Sequence, residues 1–303
     1  MLSNILQLEG IMVLLAAVGV YLRRGGVITD EGRDCITDIL MDVVLPCNIF
    51  LSFQANVDRE TIRSFPVTIL ISVLVMVGTA ALGNICYLRK EESQAKVFRY
   101  GLVNSNALFI GLPVVQSLLG QEGVLQLTIY MIFVRMFCWS YGLSLYTGVK
   151  ADWRQSLRKL LLHPCMVAAA LGLAVLLSGC RLPVFLSRTL EYCSSCLMAL
   201  SMILIGVVLA NLEIRHLVRA DVLTFAALRL IVVPGAVCFG CLLFQMPPIV
   251  TATCTLLAGM PAASLTAVLA ARYRGDAELG SLLVAVSTLL SAVTIPLWFL
   301  MLQ

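Results

Sequence analysis

Charge is scarce in this chain. Only 13% of its 303 residues are Asp, Glu, Lys or Arg, while 60% are hydrophobic, a balance far from that of a water-soluble domain. Histidine is scarcer still: His163 and His216 lie in separate loop regions, and no paired carboxylates flank either of them. The chain has no H-E-x-x-H and no G-x-S-x-G, so the constellations needed for general acid/base or nucleophilic catalysis are missing. No enzyme, cofactor or metal site is therefore expected. Long polar stretches are also lacking, which leaves no room for a soluble domain.

Apolar sequence is abundant. A mean hydropathy of +0.97 and a division into ten stretches near the 20 residues that a spanning helix needs predict an all-α polytopic membrane protein. The stretches run at 4–22, 34–54, 66–88, 97–119, 122–147, 159–178, 184–210, 219–243, 247–271 and 276–302. No basic region precedes the first, which is read as a retained helix. Two C-x-x-C spacings, Cys193/Cys196 and Cys238/Cys241, fall inside these stretches. Thiols there are read as packing residues, because metal binding requires a thiolate that hydrocarbon disfavours.

The cations sit at the borders of the stretches. Fifteen Lys and Arg follow odd-numbered helices, among them Arg23, Arg24, Arg89, Lys90, Lys150, Arg154, Arg215 and Arg274; only Arg59, Arg63, Arg181 and Arg188 follow even-numbered ones. Cytoplasmic loops collect positive charge, so the odd loops are expected inside and both termini outside. The net charge of +4 is not gathered into a patch, and no nucleic acid partner is expected.

The stretch "NALFIGLPVVQSLLG", Asn106 to Gly120, places Gly111 and Pro113 inside an apolar helix. A proline there removes a donor and clashes with the preceding turn, at about 3 kcal/mol, and lipid offers no water as a substitute. A related stretch returns as "CTLLAGMPAASLTAV", where Gly259 and Pro261 match Gly111 and Pro113 at a shift of 148 residues. The chain is thus expected to divide into two five-helix repeats, 1–150 and 151–303. Five helices are an odd number, so the repeats must be inverted in the membrane. Inverted repeats with an interrupted helix at corresponding places point to the binding site of a secondary transporter. Helices 4 and 9 are expected to break and cross near the midplane, where half-helix N-termini favour an anion.

These motifs resemble the auxin efflux carrier family, which includes the plant auxin exporters and bacterial malate or malonate permeases. Asn106, Phe109, Gly111 and Pro113 are similar to its helix 4 signature, and residues 259–297 resemble its helix 9 and 10 region; residues 136–148 and the Pro46 stretch also fit. The resemblance implies a fold shared with bile-acid symporters and sodium/proton antiporters. Helices 1, 2, 6 and 7 would form a scaffold, and helices 3, 4, 5, 8, 9 and 10 a transport bundle moving as an elevator. It also implies small organic anions, mono- or dicarboxylates, as substrates, a homodimer formed through the scaffold, and a bacterial cytoplasmic membrane as location. A channel or receptor for a small organic anion is the alternative.

Three charges fall near helix midpoints: Asp42, Arg135 and Arg229. Facing lipid, the three would cost about 8–10 kcal/mol, so each should be paired or wet. Two readings stand. Either Arg135 contacts a substrate carboxylate, with Asp42 as its counter-ion in the empty state or as a proton carrier and Arg229 also in a coupling or counter-ion role, or Asp42 and an arginine form a permanent ion pair. The family more often carries an uncharged polar residue at the Arg135 position. Asn104 and Asn106 precede the helix 4 break, and Ser264 and Thr266 follow the helix 9 break. Of these, Asn106 and Ser264 are expected to line the site together with Gly111, Pro113, Gly259 and Pro261, and Asn48 to face it from the scaffold.

Overall fold

A computed structural model of the chain describes residues 2–54, 59–147, 158, 161–178, 182–210, 219–273 and 275–302. Lys150, Arg154, Lys159, Arg181, Arg215, His216 and Arg274, and with them the 150/151 boundary, lie outside the described residues.

The described residues are helical: α1 (Leu2–Arg24), α2 (Asp30–Ile39), α3 (Leu45–Ser52), α4 (Arg59–Arg63), α5 (Phe65–Cys86), α6 (Glu92–Val103), α7 (Leu112–Phe137) and α8 (Leu143–Thr147) come first. There follow α9 (Pro164–Ser178), α10 (Val184–Ala210), α11 (Ala220–Ala227), α12 (Val233–Leu243), α13 (Pro248–Ala258), α14 (Leu265–Arg272) and α15 (Ala277–Met301). Side-chain caps open two of them. Thr29 Oγ1 accepts the Gly32 N–H at the start of α2, and Asp276 Oδ1 accepts the Leu279 N–H at the start of α15.

Among the described residues, six helical stretches are long and apolar enough to cross a bilayer: 30–52, 61–86, 107–146, 184–210, 220–243 and 277–301. This is fewer than the ten crossings expected, and lengths explain part of the difference. Helix α13, with 11 residues, extends about 17 Å, roughly half the hydrocarbon thickness. Conversely, the stretch 107–146 holds 40 residues and would reach about 60 Å if straight. It is not straight. Gly120 adopts φ 65°, ψ −156° and divides α7, a conformation open to glycine and strained for other residues, at the boundary expected between the fourth and fifth helices.

Three prolines reshape their helices in one manner. Wide π-helical turns occupy Leu40–Val44, Ala107–Gly111 and Leu228–Val232, and each ends two residues before Pro46, Pro113 or Pro234. A proline ring cannot tolerate the carbonyl four residues back, and widening the turn relieves that clash. The carbonyl so released from Leu230 accepts a hydrogen bond from the Trp298 indole Nε1 at 2.8 Å. A polar group freed in an apolar interior is thereby satisfied by a distant helix.

Helix α1 lies against α10, and α3 packs on α9 and α10; a second set joins α5, α6, α7 and α11 to α15. The α1/α10 approach depends on glycine. A Cβ at Gly19 would collide with the Ile203 carbonyl, and one at Gly206 with the Ala16 carbonyl, so small residues let the backbones touch as membrane helix pairs do. Apolar side chains such as Leu14, Leu74, Val184, Phe239 and Leu242 are exposed on the outside, as lipid-facing surfaces require.

Gly206→Ala should cost about 1–3 kcal/mol of overpacking, seen as a melting temperature lowered by roughly 2–10 °C in detergent. Gly78→Ala, where an added Cβ meets nothing within 4 Å, should leave it unchanged.

Candidate functional site

Two helices are interrupted and meet in the interior. Helix α6 stops at Val103, Asn104 is extended (φ −94°, ψ 103°), and helical geometry resumes at Ala107. Helix α13 stops at Ala258, and α14 begins only at Leu265. The two gaps pair as a short antiparallel bridge between Ser105 and Ala262. Asn106 N–H donates to the Pro261 carbonyl at 2.8 Å, and Ala263 N–H donates to the Asn104 carbonyl at 3.0 Å. The Ala262 N–H finds the Ser287 hydroxyl of α15 at 3.1 Å. Unwinding strips backbone groups of their helical partners, and the crossing returns those partners across the gap.

The interruption is not located at both Gly-x-Pro motifs. Gly259 and Pro261 lie in or beside the α13 gap, and the Pro261 carbonyl is one of its acceptors. Gly111 and Pro113 instead lie beyond the other gap, Pro113 directly after the wide turn Ala107–Gly111 at the start of α7. Gly111 serves close approach: a Cβ there would press on Leu257 Cδ2 at 3.2 Å and Met260 Cγ at 3.3 Å. The residues that pair across the crossing are Ser105 and Ala262; Gly111 follows the first by six positions and Gly259 precedes the second by three, so the two motifs are not placed alike about it.

Arg229 reaches this crossing from the wide turn between α11 and α12. Its side chain is fully buried; Nε donates to the Met260 carbonyl at 2.9 Å and Nη1 to the Leu102 carbonyl at 2.8 Å. One guanidinium thus bridges the carboxyl-terminal ends of the two interrupted helices. No carboxylate pairs with it among the described residues.

The two asparagines divide their work. Asn104 is engaged, with Nδ2 donating to the Tyr100 hydroxyl at 2.9 Å and Oδ1 accepting from the Cys138 thiol at 3.3 Å. Asn106 is buried, 5% exposed as a residue, and its side chain makes no hydrogen bond among the described residues, although it stands at the N-terminus of the resumed helix. Ser264 is half-buried, and its hydroxyl is likewise unbonded. Nearby, the buried hydroxyl of Thr266 has no partner either.

Away from the crossing, Asn48 Nδ2 donates to Gln116 Oε1 at 2.9 Å and to Ser194 Oγ at 2.7 Å, tying α3 to α7 and α10, while its Oδ1 is buried without a partner. Arg135 Nη1 contacts His163 Nε2 at 2.7 Å. His163, given no role from the sequence, lies in the field of both Arg135 and Asp42. Of the two readings, the permanent Asp42–arginine ion pair is not formed among the described residues. Asp42 falls on the exposed side of the Leu40–Val44 turn, Arg229 is held by carbonyls, and Arg135 turns to the imidazole. His163, Gln116, Ser194 and Ser287 were not legible as site partners, since each contributes through a contact between residues distant in sequence.

A chain whose described residues are helical, with an apolar exterior and a paired, interrupted crossing inside it, is an integral membrane protein. The chain matches the membrane transport protein family over residues 10–156 and again over 153–299, and it belongs to that family, the auxin efflux carriers. It is similar to an uncharacterised transporter of Methanothermobacter thermautotrophicus, 28% identical over 295 residues and covering 95% of each chain. It is also similar to an uncharacterised transporter of Methanocaldococcus jannaschii, 25% identical over 299 residues, covering 95% of this chain and 96% of the relative.

Ser287→Ala removes the acceptor of the Ala262 N–H and should destabilise the protein by about 1–3 kcal/mol. Thermal unfolding in detergent checks this, with Ser281→Ala, at an exposed hydroxyl on the same helix, expected to be neutral.

Proposed function

We propose that the protein is a secondary carrier of small organic anions, mono- or dicarboxylates, bound at the crossing. One observation carries this reading: Asn106 is a buried residue, 5% exposed, whose side-chain amide makes no hydrogen bond among the described residues, and it stands where a helix begins. Buried polar groups ordinarily find partners. An amide left without one, beside backbone N–H groups that have no preceding turn and carry partial positive charge, suits a carboxylate oxygen. The Ser264 hydroxyl on the opposite arm adds a second donor.

The same reading has ten crossings in two inverted repeats of five, and the antiparallel direction of the chain at Ser105 and Ala262 supports it. Helices α1, α2, α3, α9 and α10 serve as the scaffold and the remaining long helices as a bundle that moves as an elevator. In support, the crossing bonds link members of the bundle to one another, whereas the contacts Asn48–Gln116 and Arg135–His163 span the two groups. The scaffold forms a homodimer, and both termini face outward, following the positive charge of the odd loops.

Uptake of labelled carboxylates by proteoliposomes tests the proposal. Asn106→Ala should lower initial uptake about 10- to 100-fold, equivalent to one hydrogen bond to a charged group at about 1.5–3 kcal/mol. Its melting temperature should stay near that of the unmodified protein, because the side chain has no protein partner to lose. Accelerated exchange against internal substrate marks a carrier rather than a channel; Asn106→Ala vesicles that take up every carboxylate normally would sink the site.

A further inference from the structure

The crossing gathers helix ends of both signs. Where α6 and α13 finish, each presents unbonded carbonyls and about half a negative charge, so the two together present about one negative unit. In a water-free interior such a charge attracts a cation. Carbonyl oxygens at unwound helix ends are ligands of the kind that hold Na+ or K+.

Here the place is taken. Arg229 donates one hydrogen bond to each helix end, to Met260 O and to Leu102 O, from full burial. The titratable groups that act on its charge are the Tyr130 phenol and the Cys138 thiol, and no carboxylate pairs with it among the described residues. Its anchorage is rigid: the wide turn on which it sits is imposed by Pro234, and the carbonyl that this proline frees is held by Trp298. A planar guanidinium can satisfy two separate carbonyls at once, which a compact ammonium cannot do as well.

We propose that Arg229 is a built-in counter-cation for the two carboxyl-terminal helix ends, so that the crossing stays assembled and receives its anion without a bound alkali cation. Arg229 is on this account a positioning residue that does not touch the substrate. The claim about transport rests on the anion-carrier reading above; the claim about the cation does not.

Two measurements on the full-length protein test it. In detergent, the melting temperature of the unmodified chain should be the same in sodium, potassium and choline chloride. Arg229→Gln should melt about 5 °C or more lower in choline and recover at least half of that loss on adding sodium, potassium or guanidinium ion. Arg229→Lys should lie between the two and respond to none of them. In proteoliposomes, carboxylate uptake by the unmodified chain should be equal in sodium and choline, whereas Arg229→Gln should be active only with a small cation present. An unmodified protein that is stabilised or activated by sodium, or an Arg229→Gln variant indifferent to every cation, would overturn the proposal. Should Arg229→Gln fail to fold in any salt, the salt response of the unmodified protein and of Arg229→Lys decides. Absence of carboxylate uptake in all salts would count against the carrier reading alone, and the melting temperatures would still settle the role of Arg229.

Discussion

A backbone that leaves its helix inside a membrane protein must find new partners for every amide and carbonyl it releases. Hydrocarbon supplies none, and each unmet group costs several kcal/mol. Two gaps placed side by side solve most of this problem for each other. The Asn104–Asn106 segment and the Pro261–Ala263 segment exchange two hydrogen bonds, and what they cannot exchange is met from outside, by Ser287 for the Ala262 amide and by Arg229 for the carbonyls of Leu102 and Met260. These main-chain groups are therefore satisfied by protein, and the groups left over are the Asn106 amide, the Ser264 and Thr266 hydroxyls and the N–H groups that open the resumed helix at Ala107. Under the carrier reading, that division leaves to the anion only groups that the crossing itself does not use.

Proline contributes less directly than its position in the sequence suggests. Pro46, Pro113 and Pro234 each follow a widened turn and begin a regular helix, so none of them is itself a break. Widening shifts every side chain downstream around the helix relative to an ideal turn. Asp42 and Arg229 both sit within such turns. Arg229 is delivered by its turn into the crossing, where it is fully buried, and Asp42 is delivered to an exposed face. Two charges that look equivalent in an apolar helix thus have opposite surroundings.

The amino-acid sequence disclosed much of this arrangement, and its failures have identifiable causes. Hydropathy and glycine marked the helix boundaries well, including the one at Gly120, because a left-handed residue between apolar runs is a local signal. The interruption of two helices was also legible, since it follows from polar and proline residues inside apolar stretches; which of Asn104 and Asn106 would be left unbonded was not. The register of the crossing was not. The Gly-x-Pro motifs match at 148 residues, but in one half the motif lies in the gap and in the other it shapes the helix after the gap, where Gly111 admits Leu257 and Met260. Nor could the partners of Arg229 be read: backbone carbonyls are present at every residue, and which of them are unbonded is decided only when the helices end. The search for a carboxylate partner led instead to Asp42, which shares no ion pair with either arginine among the described residues.

The balance of contacts bears on how the two helix sets could move under the carrier reading. Within the bundle, the crossing is bound by backbone hydrogen bonds, a buried guanidinium and the Trp298–Leu230 bond, groups whose loss in a dry interior would be costly. Between the sets, the specific links among the described residues are few and made by side chains. Asn48 holds Gln116 and Ser194 while leaving its own carbonyl oxygen unmet, and Arg135 meets an imidazole rather than a carboxylate. A partly satisfied amide loses less on separation than a saturated one, and it gains when water or another polar group arrives. The seam can therefore exchange partners more cheaply than the crossing can come apart, which is the energetic order required for a rigid bundle that slides past its scaffold with the anion site intact.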